Sequence, residues 1–160
     1  MVIIDFSENT DLSEWYVVND IVMGGQSRSS LTIDADGNAL FSGTVSLDNN
    51  GGFCSVRHEF KRIDTKGFEK IVFHVKGDGK RYQVRIRANK NDYYSYIAYF
   101  FTSGEWQTIE IPLKEMYPSF RGRRLNNPNF EGDSIVEMSF LIGNKKAEGF
   151  QLLIDKVMLK

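Results

Sequence analysis

Hydrophobic and polar residues alternate with period two along most of the chain. In RYQVRIRAN, Tyr82, Val84, Ile86 and Ala88 interleave with Arg81, Gln83, Arg85 and Arg87, the pattern of a half-buried strand with a basic outer side. KIVFHVK sets Ile71, Phe73 and Val75 against Val72, His74 and Lys76, and the GDG that follows predicts a hairpin at Asp78-Gly79 joining it to RYQVRIRAN. ALFSGTVSL, FCSVRHEF, YYSYIAYFF, EWQTIEIP, IVEMSFLI and FQLLIDKVML read the same way, with turn residues at DNNGG, KNDY, TSGE and NKKAEG. About ten short strands and one short helix, LKEMYP, predict an all-β antiparallel sandwich. SFRGRRLNNPNFEGDS is too rich in glycine, proline, asparagine and aspartate for regular structure, and loops of this length in compact domains usually carry function or are disordered.

No repeat, linker or low-complexity stretch interrupts the pattern, so residues 1–160 are expected to form one domain. Twenty basic and 21 acidic residues leave a net charge of -1, which gives no bulk attraction to nucleic acid or to anionic lipid. Neither is an expected partner. Cys54 is the only cysteine, so no internal disulfide forms. MVIIDF lacks the basic and apolar regions of a secretory signal, and no stretch approaches the ~20 apolar residues of a membrane span. The chain as it stands is therefore expected in the cytoplasm.

Catalytic constellations are sparse. His58, His74 and Cys54 lack the close paired spacings of a zinc site, and all three suit strand packing. Glu59 and Glu110 share the outward parity of their strands, so they are the one candidate carboxylate pair for a glycoside hydrolase. GDGKRY lacks phosphate-loop spacing. What remains is a surface. Outward parity collects Ser42, Thr44 and Ser46, then Arg57, His74, Arg85 and Arg87, then Tyr94 and Tyr96. If the strands are neighbours, one sheet face carries hydroxyls, guanidinium forks and aromatic rings, suited to a sugar or an acidic partner surface.

VNDIVMGGQSRSS, FSGTVSLDNNGGFCSVR, VKGDGKRYQVRIR and PSFRGRRL, in that order, resemble the complex I intermediate-associated protein 30 family. The resemblance runs from about Trp15 to the final strand. It implies a galactose-binding-like β-sandwich of jelly-roll type, and three signature loops: Asn19, Asp20, Met23, Gly24 and Gly25; Asn49 and Asn50 with Gly51 and Gly52; and Phe120, Arg121 and Arg123 around Gly122. Asp20 is expected to pair with Arg57, Arg121 or Arg123 and so tie these loops together. In some carbohydrate-binding relatives an aspartate of the last strand holds calcium, which makes Asp155 a metal candidate; no other ligand for it is identifiable, and no cofactor is expected. Mitochondrial members assist assembly of respiratory complex I as chaperones. The resemblance thus implies a non-catalytic protein-binding domain whose partner is a respiratory subunit or assembly intermediate, with a carbohydrate-binding module as the alternative.

Overall fold

The computed structural model describes residues 1–20 and 24–160 and all side chains of the strands and loops discussed below. Met23 and the side chain of Asn50, both candidates above, lie outside what is described. Among the described residues thirteen strands follow one another: β1 (Val2–Asp5), β2 (Trp15–Asn19), β3 (Arg28–Ile33), β4 (Ala39–Val45), β5 (Cys54–Asp64), β6 (Lys70–Lys76), β7 (Arg81–Arg87), β8 (Ser95–Phe101), β9 (Trp106–Pro112), β10 (Tyr117–Phe120), β11 (Arg123–Arg124), β12 (Ser134–Ile142) and β13 (Glu148–Leu159). One sheet has the order β3-β4-β13-β6-β9, with β1 also pairing β13; the other runs β11-β10-β8-β7-β12-β5-β2. All pairings described are antiparallel.

Alternation explains the layering. Phe41, Phe73, Phe150, Leu152 and Ile154 of the six-stranded sheet meet Val56, Tyr82, Val84, Phe100 and Phe140 of the seven-stranded one, and all are buried. Phe73 sits edge-on to Phe100 and Phe140 at 4.9 and 5.5 Å, so aromatic contacts bridge the two layers. Cys54 is buried in this core with its sulfur near the carbonyls of Arg28 and Thr44, and burial pushes its thiol up to about 11, the environment of an inert packing thiol. His58 stacks on Trp15 at 4.7 Å and burial lowers its pKa, in keeping with a packing role.

Three local expectations are corrected. The GDG segment is not a hairpin: β6 belongs to one sheet and β7 to the other, so the turn carries the chain across the sandwich. Asp78 makes that crossing by accepting from the nearby Tyr82 hydroxyl (2.9 Å) and from the Gln151 N–H (2.8 Å), the latter a contact 73 residues away that turn chemistry alone does not reveal. The primed two-residue turn occurs instead at Arg121-Gly122, both at positive φ (50° and 78°), between the paired residues Phe120 and Arg123. LKEMYP holds only a 3₁₀ turn, Leu113–Glu115. The long irregular segment is pinned by buried Phe130, whose N–H donates to the Met116 carbonyl at 2.9 Å.

Candidate binding face and the Asp20 loop knot

The outer side of the seven-stranded sheet presents a straight row of residues at matched register. Tyr16 (β2) stands opposite Arg57 (β5), Arg57 opposite Ser139 (β12), Ser139 opposite Arg85 (β7), Arg85 opposite Ile97 (β8), and Ile97 opposite Tyr117 (β10). A second row runs Ser55, Leu141, Gln83, Tyr99, and a third Glu59, Glu137, Arg87. Ile97 and Leu141 are buried although they stand on the outer side, which puts them beneath the longer side chains around them.

Charge on this face is unevenly matched. Arg87 Nε lies 3.4 Å from Glu137 Oε2. Arg81 donates from Nε to Asn144 Oδ1 at 3.1 Å and lies 4.1 Å over the Tyr99 ring; Arg124 covers the Tyr117 ring at 4.4 Å. Arg85 has one hydrogen bond from its guanidinium, to Gln83 Oε1 at 3.2 Å, while Gln83 in turn donates to the Tyr99 hydroxyl at 3.3 Å. Among the described residues, neither Arg57 nor Arg85 takes part in an ion pair. Burial lowers the Arg85 pKa to about 10 and the positive charges of Arg57 and Arg87 push the same way, against Tyr99 and Glu137. Arg85 is therefore a cation at neutral pH in a desolvated place, with like charges for neighbours.

The sequence-predicted surface divides between the two sheets. Arg57, Arg85 and Arg87 share the face just described, but Ser42 and Thr44 lie on β4, Ser46 follows that strand, and His74 lies on β6, all in the other sheet. Tyr96 pairs with Ile86 and turns toward the core, edge-on to Phe130 at 5.2 Å; Tyr94 packs on Tyr96 at 5.6 Å. The rings that do reach the face are Tyr16, Tyr99, Phe101 and Tyr117. For Tyr99 and Phe101 the reason is that YYSYIAYFF is apolar or aromatic on both parities, so alternation alone does not choose a side; pairing of Ile97 with Arg85 does. Glu59 and Glu110 sit in different sheets, and Glu110 is held by Lys70 at 2.6 Å, so the carboxylate facing Glu59 is Glu137.

Asp20 is buried, and its partners are not guanidinium groups. Its carboxylate accepts from the Ser27 hydroxyl, the Ser27 N–H (3.0 Å), the Gly52 N–H (2.6 Å) and the Phe53 N–H (3.2 Å). Burial by itself would raise its pKa, but these donors outweigh that and hold it below the ordinary value. The glycines follow directly. A Cβ on Gly25 would come 2.4 Å from Asp20 Cγ, and one on Gly51 2.5 Å from Asp20 Oδ2, so both loops can close on the carboxylate only without side chains. Asn19 joins the knot by accepting from Ser29 Oγ at 2.8 Å. Gly24 and Asn49 stand beside it at positive φ. The first two signature loops are thus one knot around a charge, while the third, Phe120 to Arg123, is the separate hairpin tip where Arg121 and Arg123 are exposed.

Asp155 lies at a bulge of β13 with its carboxylate 3.2 Å from His74 Nδ1, on the outer side of the six-stranded sheet. Among the described residues no three His, Cys, Asp or Glu side chains gather as a metal centre. No helix among them is long and apolar enough to cross a membrane.

Two antiparallel sheets with this architecture define a β-sandwich, a fold shared with solved carbohydrate-binding modules. The family 11 carbohydrate-binding module of Clostridium thermocellum, solved with a β-1,3-1,4-mixed-linked tetrasaccharide, superposes with a TM-score of 0.66 at 18% identity, covering 98% of this chain and 93% of that one. A family 30 carbohydrate-binding module gives a TM-score of 0.65 at 13% identity, covering 100% and 99%. Those likenesses define the fold.

The family follows from sequence: residues 4–154 match the model for complex I intermediate-associated protein 30, and the chain belongs to that family. It is 31% identical to the mitochondrial complex I intermediate-associated protein 30 of Mus musculus over 96% of its length, but spans only 54% of that relative. It is 29% identical to an uncharacterised protein of Schizosaccharomyces pombe, with 94% of this chain and 79% of that one covered.

Proposed function

We propose that the chain is a non-catalytic binding domain of the complex I assembly-factor type, which holds a protein partner on the outer face of its seven-stranded sheet. The observation that carries this reading is the row from Tyr16 to Tyr117, in which Arg57 and Arg85 stand without carboxylate partners between aromatic rings. A fold that desolvates a cation normally supplies its counter-charge, and a partner supplies it here. Family membership favours a respiratory subunit or assembly intermediate as that partner. The separation of Glu59 from Glu110 removes the one carboxylate pair that favoured a hydrolase. Cytoplasm is the compartment proposed for the chain as given, beside the mitochondrial location in the mouse relative's name.

A carbohydrate-binding module is the second reading, favoured by the fold of the solved relatives. It is weaker because Tyr99 and Tyr117 each carry a guanidinium over the ring, occupying a plane on which a sugar would stack.

The test is capture of respiratory-complex subunits from solubilised respiratory membranes by the immobilised chain. Tyr99→Ala with Tyr117→Ala should reduce capture, whereas Trp106→Ala on the other sheet should leave it unchanged. Equal capture by both variants would overturn the assignment of the face.

A further inference from the structure

The two unpaired arginines have a geometry of their own. Arg57 and Arg85 flank Ser139 on adjacent strands, so their backbones are two strand spacings apart, about 9–10 Å. Ser139 is small and buried, which leaves a low floor between two long side chains. The Arg57 charge bears on Arg85: after burial it is the largest influence lowering the Arg85 pKa. Two like charges held together over a polar floor are brought to rest by an anion between them. Arg85 keeps one amide contact, to Gln83, and that leaves the rest of its five-donor fork unused.

From this arrangement we infer that the Arg57–Arg85 pair is the anchor for a carboxylate of an acidic peptide segment, bound with its side chain over Ser139. The inference rests on the proposed protein-binding role and names the chemistry of the partner. Charge complementarity selects the occupant. Arg81 and Arg124, stacked on Tyr99 and Tyr117, extend positive charge beyond the anchor, and Arg121 and Arg123 are exposed at the neighbouring hairpin. The face's glutamates Glu59 and Glu137 stand in the row of Arg87, to one side of the anchor. That asymmetry orients an acidic segment toward the row holding Arg57 and Arg85 and away from the glutamates. A guanidinium already stacked on a tyrosine keeps its edge N–H groups for carboxylate oxygens, while the same stacking obstructs a neutral sugar ring.

Isothermal titration of the full chain tests the anchor with three probes: a short peptide bearing adjacent aspartates between neutral residues, its asparagine counterpart, and the mixed-linked β-1,3-1,4 tetrasaccharide. The aspartate peptide should bind more tightly than the asparagine peptide and lose affinity as salt rises. Arg57→Gln and Arg85→Gln should each weaken it about tenfold or more, Arg85→Lys less, because lysine restores the charge without the fork. Lys76→Gln, on the other sheet, should leave binding unchanged. If Arg85→Gln does not fold, Arg57→Gln decides the matter. Equal binding of the two peptides, or an Arg57→Gln variant as tight as the parent, would overturn the anchor. Tighter binding of the tetrasaccharide, weakened by the same arginine changes, would overturn it in favour of a sugar site. Membrane capture separates the levels: if Tyr99 and Tyr117 still matter there while the peptides bind equally, the anchor fails and the face survives; if neither matters, both fail.

Discussion

Asp20 is a buried charge and Arg85 a half-buried one, and the protein treats them in opposite ways. Around Asp20 the chain supplies a hydroxyl and three N–H donors and removes the Cβ atoms of Gly25 and Gly51 to bring them close. Around Arg85 it supplies one amide oxygen and two further arginines, with Tyr99 and Glu137 acting the other way but no carboxylate among the described residues in ion-pair contact. A charge whose needs the fold meets is holding the fold together. On the proposed reading, one left short is placed for a partner. The contrast also divides the three glycine-containing loops: Gly25 and Gly51, one glycine of each pair, follow from the Asp20 knot, whereas the arginine-rich third loop stays outside it.

The strongest way to break this comparison is to remove Asp20. Asp20→Ala leaves several buried donors without an acceptor and should cost about 3 kcal/mol or more, read as a lowered urea midpoint. A loss below about 0.5 kcal/mol would mean that water replaces the carboxylate and that the knot is incidental.

Arg85→Gln sharpens the other half. Its expected effect on stability is within about 1 kcal/mol in either direction, since relief of repulsion from Arg57 offsets the lost contact with Gln83. A thermal melt showing a drop as large as that of Asp20→Ala would make the arginine structural and dissolve the contrast.

How much of this is legible in the sequence depends on whether the signal is local. Strands such as RYQVRIR are, because one buried side imposes period two, and Arg57, Arg85 and Arg87 were placed correctly by it. Sheet membership is not. Asp78-Gly79 has hairpin chemistry, yet Asp78 bonds to Tyr82 and Gln151 and sends β7 to the opposite layer, which moved His74 and Ser42 away from the arginines. Asp20 invited an arginine partner because charge pairs are the obvious pairing in a sequence, while the N–H groups that actually bind it belong to every residue and leave no mark. Tyr99 and Tyr117 were hidden by an aromatic run without parity and by a four-residue strand, Tyr117–Phe120, too short to show one.

A smaller effect separates the halves by pH. The Asp20 carboxyl titrates below its ordinary value in the folded chain, so its stabilisation is complete above the unfolded value of about 4 and is lost as pH falls through the folded value. Unfolding measured from pH 6 downward should show an acid decline that is shallower in Asp20→Asn; an unchanged slope would remove Asp20 as its source. The smallest change expected is at the hairpin tip. Arg121 holds a left-handed φ of 50°, which asparagine adopts more readily, so Arg121→Asn should raise stability by about 0.5 kcal/mol. A fall in the melting temperature would show that Arg121, like Asp20, is bound into the fold.

The most direct test of the central claim is hydrogen exchange of the chain alone and with captured respiratory subunits. Protection on binding should appear in β5, β7, β8 and β10, centred on Arg57, Arg85, Tyr99 and Tyr117, with the β4, β6 and β9 strands of the other sheet unchanged. Protection centred on the six-stranded sheet, or on the Asp20 knot alone, would contradict it.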